Sequence, residues 1–313
     1  MCKEHITAIK QVLKNNRSGS IPILHCLEHS NGTLKATDLT VMVEIKTQTI
    51  ADGIWKSEAL DYGFKEDTKE NQWTIDDFPT LDTPKLKQSV ELTGEDLSKI
   101  IRAMDFTSTD LTRPALTGVA LSEGNVYGCD GYRLYRNEMS HKVEGTIILP
   151  KECIKILKAV KADKKSWTLN IYEDTEIAFK SSGFTLHSRL IDAVAPMYDQ
   201  VIGNGDYGYV LAVDLKQIVD KKNKCIMVDK NDLSVYISDR DDKTKRIKLE
   251  DKVANAFRDK GNVGRYGHKE VVMPLHDPED LRIDLAMLKQ YKGMLVLRFA
   301  EKHTLPVYVD EVK

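Results

Sequence analysis

The chain has 313 residues, of which 41% are hydrophobic and 30% are charged, and its formal net charge is -2. At about 100 to 200 residues per domain this length predicts two or three domains, and the balanced composition excludes a disordered chain. Net charge alone gives no support for nucleic-acid binding. No apolar run approaches the roughly 20 residues that span a membrane, and the opening MCKEHITAIKQVL is too polar for a signal peptide. We therefore expect a cytoplasmic protein without membrane contact.

The helices and strands predicted from periodicity form three helix-then-hairpin units along the chain. The helical segments, in which apolar residues recur at spacings of three and four, are KEHITAIKQVLKNN, TGEDLSKIIRAMDF and AVDLKQIVDKKN. Each precedes two alternating segments joined by a short turn, as in a β-hairpin: LHCLEHSNGTLKATDLTVMVEI, RPALTGVALSEGNVYGCDGYRLYRNE and KCIMVDKNDLSVYISD. Internal repetition of this kind predicts similar domains.

A second helix and a strand meander complete the second and third units. ILPKECIKILKAVKADKK precedes SWTLNIYEDTEIAFKSSGFTLHSRLI, and LRIDLAMLKQYKG precedes MLVLRFAEKHTLPVYVD. Proline and glycine cluster in DFPTLDTPKLK and APMYDQVIGNGDYG, which places domain boundaries near residues 87 and 204. The prediction is an α+β protein with three domains of helices on antiparallel sheets, at 1–87, 88–203 and 204–313.

Basic residues gather on one side of three predicted helices, next to the apolar side that would face a sheet. For a single helix, a solvated lysine-rich face is the ordinary interpretation. Recurrence on three helices favours a surface that binds phosphate backbone without reading sequence. The residues are Lys3, Lys10, Lys14 and Arg17, then Lys151, Lys155, Lys158 and Lys161, then Arg282, Lys289 and Lys292.

The five cysteines are odd in number, widely spaced and never arranged as C-x-x-C, which disfavours a disulfide framework and a zinc site. We expect reduced thiols, no metal and no cofactor. The cysteines are Cys2, Cys26, Cys129, Cys153 and Cys225.

The stretch TRPALTGVAL with GCDGYRLYR, continued by IILPKECIKIL and SRLIDAVAPMYDQVI, resembles the second domain of the beta sliding clamps, the processivity subunits of bacterial replicative DNA polymerase. IPILHCLEHSNGTLKATDLTVMVEI and DFPTLD are similar to the start and end of that family's first domain, and IDLAMLKQYKGMLVLRF to the late part of its third. The resemblance covers nearly the whole chain and is strongest over residues 88–203. It implies a homodimeric ring of six similar domains, whose helices line a hole that holds duplex DNA.

The same resemblance implies a processivity factor, an accessory subunit of DNA polymerase III with no catalytic activity of its own. It would hold the polymerase catalytic subunit and the clamp loader through short peptide motifs, and Arg113 would approach DNA with the helix lysines. The residues that match the family's peptide cleft are Leu116, Cys129, Gly131, Tyr132, Arg133, Leu134, Pro196 and Val201.

Gly131 interrupts the alternation of the second hairpin strand. Glycine permits a backbone conformation or a close approach that a residue with a Cβ atom resists. A peptide groove beside the strand and a simple bulge both explain its presence.

Three departures from the family leave ring closure and partner choice open. The chain ends in VYVDEVK where clamps commonly carry an apolar tail with Met-Pro, the first domain is short of a helix and strands between residues 50 and 72, and the third lacks a long first helix. Trp73 and Ile75 match apolar residues of the first-domain dimer interface, and a core role explains them equally well. The alternative function is a clamp-fold peptide-binding adaptor that does not close a ring.

Candidate enzyme sites are few. GNVGRYGHK has spaced glycines but lacks the lysine-serine pattern of a P-loop, and SDRDDKTKR clusters carboxylates that suit a metal or, more ordinarily, a charged turn. The histidines show no ligand spacing, and no serine or cysteine nucleophile motif is present. We therefore expect no enzymatic activity.

Overall fold

The chain divides into two compact units in the computed structural model, which describes residues 1–16, 21–80, 84–173, 175–198, 207–218, 222–258, 270–273, 281–288, 294–300 and 307–312. Unit 1 comprises Met1–Val126 and Met139–Ala195, and unit 2 comprises Tyr127–Glu138 and Pro196–Lys313. The boundary expected near residue 87 falls inside unit 1, and the division into three domains remains a prediction. Within these ranges, no helix combines the length and the apolar character needed to cross a membrane.

The α-helices of the described residues belong to unit 1. They are α1 (Lys3–Asn15), α2 (Ala59–Tyr62), α3 (Gly94–Ala103), α4 (Pro114–Thr117) and α5 (Lys151–Ala159). The three longer helices, α1, α3 and α5, were expected from their apolar spacing, and the structure confirms them.

Unit 1 contains most of the strands in the first two thirds of the chain. Its strands are β1 (Cys26–Ser30), β2 (Thr33–Thr37), β3 (Val41–Lys46), β4 (Gly53–Lys56), β5 (Lys69–Glu70), β6 (Leu86–Leu92), β7 (Val119–Ser122), β8 (Asn125–Cys129, which ends in unit 2), β10 (Thr146–Leu149), β11 (Trp167–Tyr172), β12 (Glu176–Ser181) and β13 (Phe184–Arg189), while β9 (Leu134–Glu138) belongs to unit 2.

Nine of these strands form one antiparallel sheet, in the order β5-β4-β1-β2-β3-β13-β12-β11-β6. Val43 of β3 lies opposite Leu186 of β13, so strands of the first and second predicted domains share this sheet. The β1–β2 hairpin turns at Asn31 and Gly32, whose φ angles of 50° and 71° are those that an Asn-Gly turn adopts.

Three helices cover the nine-stranded sheet. α1 packs against β2 and β3, α5 against β13, and α3 against β6, while α1 and α3 each contact α5. Their inward side chains, such as Ile9, Leu97 and Ile154, are completely buried. The core of unit 1 therefore lies between the helices and the sheet, and the opposite sides of the helices face solvent.

The start of α3 shows how local sequence fixes a helix end. Thr93 Oγ1 accepts a hydrogen bond from the Asp96 backbone N–H at 3.1 Å, and Asp96 Oδ2 accepts one from the Thr93 N–H at 3.0 Å. This reciprocal capping satisfies two backbone donors. At Gly94 an added Cβ would lie 2.2 Å from the Asp163 carbonyl oxygen, so glycine allows α3 to abut the turn that follows α5.

The strands of unit 2 after β9 make two sheets. They are β14 (Tyr207–Asp214), β15 (Lys224–Val228), β16 (Val235–Asp239), β17 (Arg246–Lys248), β18 (Ala254–Arg258), β19 (Glu270–Met273), β20 (Ile283–Asp284), β21 (Met294–Ala300) and β22 (Val307–Val312). The part of one sheet that these strands form together with β9 has the order β9-β19-β22-β21-β14-β18, and the other sheet has the order β17-β16-β15-β20. Together with unit 1, they confirm the α+β class with antiparallel sheets.

The helices predicted for AVDLKQIVDKKN and LRIDLAMLKQYKG, two segments of unit 2, are not formed in the part of each segment that the structure describes. Residues 212–218 end strand β14 at Asp214 and continue as a 3-10 turn, Leu215–Gln217. Residues 281–288 form β20 and a 3-10 turn, Leu285–Leu288. Short apolar runs fit both periodicities, and pairing of Ile283 with Ile226 on β15 selects the strand.

Candidate functional site

The outward side of α1 carries three lysines. Lys3, Lys10 and Lys14 are exposed, whereas Ile9 and Val12 are completely buried against the sheet. This is the segregation of charge and core that the helical projection predicted. Arg17, the fourth basic residue predicted for this side, lies outside the described residues.

The outward side of α5 carries Lys155 and Lys158, and Lys161 follows on the next turn; all three are exposed. Lys151 differs, because it is half-buried and its Nζ atom donates a hydrogen bond to the Ser108 carbonyl oxygen at 2.5 Å. Burial and then the charge of Lys155 lower the pKa of Lys151. Lys151 therefore has a structural partner that the sequence did not reveal.

α1 and α5 lie side by side and run in opposite directions. Lys161, after the end of α5, contacts Glu4 in the first turn of α1, with 3.0 Å between Nζ and Oε1. At the other end, Asn15 and Asn16 of α1 line a cavity of about 420 Å³ together with Glu152 from the start of α5. The packing places the lysines of both helices on one side of unit 1.

Ion pairs divide the exposed lysines into two groups. Lys10 pairs with Asp61 of α2, Lys155 with Glu152 at 3.7 Å, and Lys161 with Glu4. Within the part of the chain that the structure describes, the ammonium groups of the other exposed lysines on the outward sides of α1 and α5 have no acidic partner. These unpaired residues are Lys3, Lys14 and Lys158.

The other predicted DNA contacts have different positions. Arg113 is exposed at the start of α4, where Pro114 takes the first helical position. Arg282 is only 5% exposed, and its Nη2 atom donates to the carbonyl oxygens of Asp239 and Arg240 at 2.9 Å each. The Arg282 guanidinium therefore binds the end of β16. The prediction that it faces solvent is wrong. Lys289 and Lys292 lie outside the described residues.

The hairpin of unit 2 that joins β8 to β9 turns around Asp130. Asp130 Oδ1 accepts hydrogen bonds from the N–H groups of Tyr132 and Arg133 at 3.0 and 2.7 Å. Its Oδ2 accepts from Nε and Nη2 of Arg133 at 2.9 and 2.6 Å. Arg133 Nη1 donates to the Met287 carbonyl oxygen at 3.3 Å. The Asp-Gly pair and the arginine thus form a turn that its own side chains lock.

Gly131 allows the backbone conformation that this turn requires. Its φ angle is +89°, a left-handed backbone conformation that residues with a Cβ atom adopt only at a cost. Tyr132, the next residue, is 71% exposed, while Leu134 on β9 is 3% exposed. The turn therefore exposes an aromatic ring two residues before a buried leucine.

A stacked tyrosine pair joins the segment around Pro196 to this hairpin. The rings of Tyr127 on β8 and Tyr198 lie 4.6 Å apart at an angle of 14°, and both residues are buried. Burial, followed by the proximity of Cys129 and Tyr127, raises the pKa of the Tyr198 hydroxyl. The sequence analysis did not single out this pair. Its place in the predicted second hairpin was the only sequence signal for Tyr127.

The predicted cleft residues are only partly brought together in unit 2. The hairpin carries Cys129, Gly131, Tyr132, Arg133 and Leu134. The exposed Pro196 lies two residues before Tyr198, whose ring stacks on Tyr127 of β8. Burial raises the pKa of the half-buried Cys129 thiol. Leu116 belongs to unit 1, at the end of α4, and Val201 lies outside the described residues.

The two residues predicted for a dimer interface differ in exposure. Trp73 is partly buried and packs against the cluster formed by Ile23, Cys26, Met42, Ile54 and Phe78. Ile75 is 38% exposed. A core contact is therefore present for Trp73, while the interface assignment of both residues remains a prediction.

The acidic stretch SDRDDKTKR has the contacts of a charged turn. Asp239 pairs with Lys224 at 3.4 Å, and Asp242 pairs with Lys245 at 3.3 Å and accepts hydrogen bonds from Thr244. Among the described residues, no group of three or more histidine, cysteine or acidic side chains has a metal-binding arrangement. The stretch GNVGRYGHK lies outside them.

Comparison with solved structures identifies the fold. The DNA polymerase III beta subunit from Thermotoga maritima superposes with a TM-score of 0.67 at 14% identity, over 99% of this chain and 97% of that one. The chain has the fold of the bacterial beta sliding clamps. The beta subunit from Borrelia burgdorferi, in complex with a natural product, gives 0.69 at 13% identity over 100% and 98% of the two chains.

The sliding clamp from Pseudomonas aeruginosa, bound to griselimycin, gives a TM-score of 0.69 at 14% identity, over 98% of this chain and 96% of that one. No model of a protein family matches the sequence, and no curated protein matches it. The chain therefore shares the clamp fold, and at this low sequence identity the likeness shows the fold alone. The structural likeness confirms the resemblance seen in the second-domain motifs.

Proposed function

We propose that this chain is a DNA sliding clamp, a processivity factor that encircles duplex DNA as a homodimeric ring and tethers a replicative polymerase in the cytoplasm. The observation that carries the proposal is the clamp fold over 99% of this chain and 97% of the Thermotoga maritima beta subunit. Under it, the chain is an accessory subunit of the polymerase and has no catalytic site of its own.

The helix face of unit 1 suits contact with duplex DNA. Lys3, Lys14 and Lys158 project from two adjacent antiparallel helices, on the side away from the sheet. Ammonium groups on flexible stems bind phosphate oxygens as point charges and read no base sequence. A protein that moves along DNA requires this kind of contact.

The hairpin of unit 2 suits a short peptide from a polymerase or a clamp loader. Tyr132 and Met197 are each 71% exposed, and hydrogen bonds between Asp130 and Arg133 fix the turn that carries Tyr132. A rigid edge with apolar and aromatic groups binds a peptide with a small loss of entropy. The tethering role of the proposal rests on this surface.

Ring formation would follow from a head-to-tail contact between two copies. A heterologous contact of this kind generates either a closed ring or an open filament, and three domains per chain would double to six. Trp73 and Ile75 are the candidate apolar residues of the first-domain side of this contact. Sedimentation at tens of micromolar, where weak association of about micromolar affinity saturates, should give a dimer and no larger species.

A topological experiment tests encirclement directly. The protein is incubated with a nicked circular plasmid, passed through gel filtration at moderate salt, and divided; one half is then cut once with a restriction enzyme. A ring should remain on the circle and be lost from the linear DNA. Streptavidin bound to biotinylated ends should restore retention, because it blocks the exits. Equal retention on open linear DNA and on the circle would contradict encirclement.

The adaptor alternative has a different signature. A monomer at tens of micromolar that binds clamp-type peptides, but is never retained on circular DNA, would replace the clamp proposal with an adaptor of the same fold.

A further inference from the structure

Half of the exposed lysines on the helix face of unit 1 are already paired with a carboxylate. The pairs are Lys161 with Glu4 at 3.0 Å, Lys155 with Glu152 at 3.7 Å, and Lys10 with Asp61. All six side chains keep contact with solvent, with relative exposures between 30% and 58%. DNA phosphate can therefore reach each lysine only in competition with a protein carboxylate.

Two of the three carboxylates come from distant elements. Asp61 is 51 residues from Lys10, and Glu4 is 157 residues from Lys161. Pairs between neighbours on one helix arise commonly from helix periodicity, as for Glu152 and Lys155. The other two exist because the fold carries an acidic side chain to the helix face.

The element that carries Asp61 is held in place. α2 is a single helical turn in which the Tyr62 N–H donates to the Glu58 carbonyl oxygen at 3.0 Å and the Gly63 N–H donates to that of Ala59 at 2.9 Å. Ala59 is 1% exposed and anchors the turn, and Gly63 ends it with a φ angle of +91°. Asp61 is thus presented to Lys10 by a folded segment.

Glu4 is hydrogen-bonded to Lys161, with 3.0 Å between Oε1 and Nζ. The hydrogen bond from Lys161 is the largest of the effects that lower its pKa to about 2. Its position in the first turn of α1 adds a favourable interaction with the helix dipole. The carboxylate is therefore ionised at every pH at which DNA binding would be measured.

We propose that Glu4, Asp61 and Glu152 act as intramolecular competitors of DNA phosphate, which weaken the contacts of Lys161, Lys10 and Lys155 so that the helix face slides along DNA. The inference rests on the proposed clamp function. Lys3, Lys14 and Lys158 would then contact phosphate without first losing a partner. Each paired lysine would contribute only when phosphate displaces its carboxylate.

The test is a triple variant that removes the three negative charges, Glu4→Gln, Asp61→Asn and Glu152→Gln. A matched control removes three carboxylates that pair with lysines outside the helix face. The control is Glu123→Gln, Asp242→Asn and Glu250→Gln, whose partners Lys142, Lys245 and Lys252 lie at 3.3, 3.3 and 2.7 Å. Both triples change the net charge by the same amount.

Affinity for a fluorescent duplex of about 30 base pairs is measured by anisotropy from about 50 to about 200 mM salt. Exposed ion pairs are worth little individually, so each released lysine should increase affinity by up to about fivefold. The test triple should therefore bind about tenfold or more tightly at low salt, and the gain should shrink as salt rises. The control triple should stay within about twofold of the unmodified protein.

Each other outcome is decisive. If the test and control triples bind equally, the carboxylates do not compete and the inference is wrong, while DNA binding by the unmodified protein leaves the clamp proposal intact. If neither the unmodified protein nor the test triple binds DNA at low salt, the clamp proposal fails. The single variants Glu4→Gln and Asp61→Asn, checked by thermal unfolding, give the same comparison if the triple variant is unstable.

Discussion

The ammonium group of Lys151 donates a hydrogen bond to the carbonyl oxygen of Ser108 at 2.5 Å, whereas Lys158, two turns further along α5, is exposed. Lys151 is half-buried, and Ser108 is 8% exposed. Two lysines of one basic helix side therefore have different roles: Lys151 joins α5 to the loop before α4, and Lys158 faces solvent.

Replacing these two lysines should separate stability from DNA contact. Lys158→Ala should leave the unfolding midpoint unchanged, lower DNA affinity, and reduce the slope of log affinity against log salt by about 1 or less. Lys151→Met should lower the free energy of unfolding by about 1 kcal/mol or more, because the Ser108 carbonyl loses its donor, and leave the salt slope unchanged. Urea unfolding and anisotropy titrations measure both. A reversed pattern would show that the burial of Lys151 does not decide its role.

The capping threonine of α3 should contribute measurably to stability. Thr93→Ala removes the acceptor of the Asp96 N–H and should lower the free energy of unfolding by about 1 kcal/mol. Thr80→Ala changes an exposed threonine outside the helices and should stay within about 0.5 kcal/mol of the unmodified protein. Urea unfolding followed by circular dichroism compares the two, and an equal effect of both changes would exclude a capping contribution.

Asp96 should make stability depend on pH. Burial raises the pKa of this carboxyl, but hydrogen bonds from Ser140 and Thr93 outweigh burial and lower the pKa below its ordinary value. A carboxylate with a lowered pKa stabilises the fold above its unfolded pKa of about 3.9, and this contribution disappears as the pH falls through the folded value.

Asp96→Asn should therefore destabilise the protein by about 2 kcal/mol near neutral pH and by progressively less below about pH 4. Urea unfolding over that pH range measures the difference between the variant and the unmodified protein. Asp163→Asn, at an exposed position, is the control. A constant difference in the free energy of unfolding at all pH values would show that the stabilisation does not depend on the negative charge of Asp96.

The hairpin of unit 2 should lose peptide affinity when its turn or its ring is changed. Gly131→Ala adds a Cβ atom at a φ angle of +89°, at a cost of about 1 to 2 kcal/mol in backbone strain. Tyr132→Ala removes a ring that is 71% exposed and should not change stability. Both variants should lower the affinity for a polymerase-type peptide by about tenfold, which corresponds to the free energy of burying one apolar side chain.

Calorimetry with clamp-binding peptides measures this loss, and anisotropy should show unchanged DNA affinity, because the helix face of unit 1 is untouched. Leu134 is a poor probe, since at 3% exposure a charged replacement would unfold β9. If the unmodified protein binds no such peptide, or if both variants bind as it does, the groove assignment is wrong.

Local sequence determined those elements whose residue pattern is compatible with a single local structure. The capping sequence that opens with Thr93, the Asn31-Gly32 turn, and the separation of Lys10 from Ile9 on α1 all follow from interactions within a few residues. The second-domain motifs likewise indicated the clamp fold, which depends on the order of elements more than on individual side chains.

Tertiary structure decided what becomes of side chains whose partners are distant in sequence. Arg282 was predicted on an exposed helix, but pairing of β20 with β15 buries it against the carbonyl oxygens of β16 and the residue that follows. Asp61 and Glu4 reach Lys10 and Lys161 only after α2 and α1 have packed. Helical periodicity fixes the side of a helix on which a charge lies, whereas the packing of other elements fixes what that charge contacts.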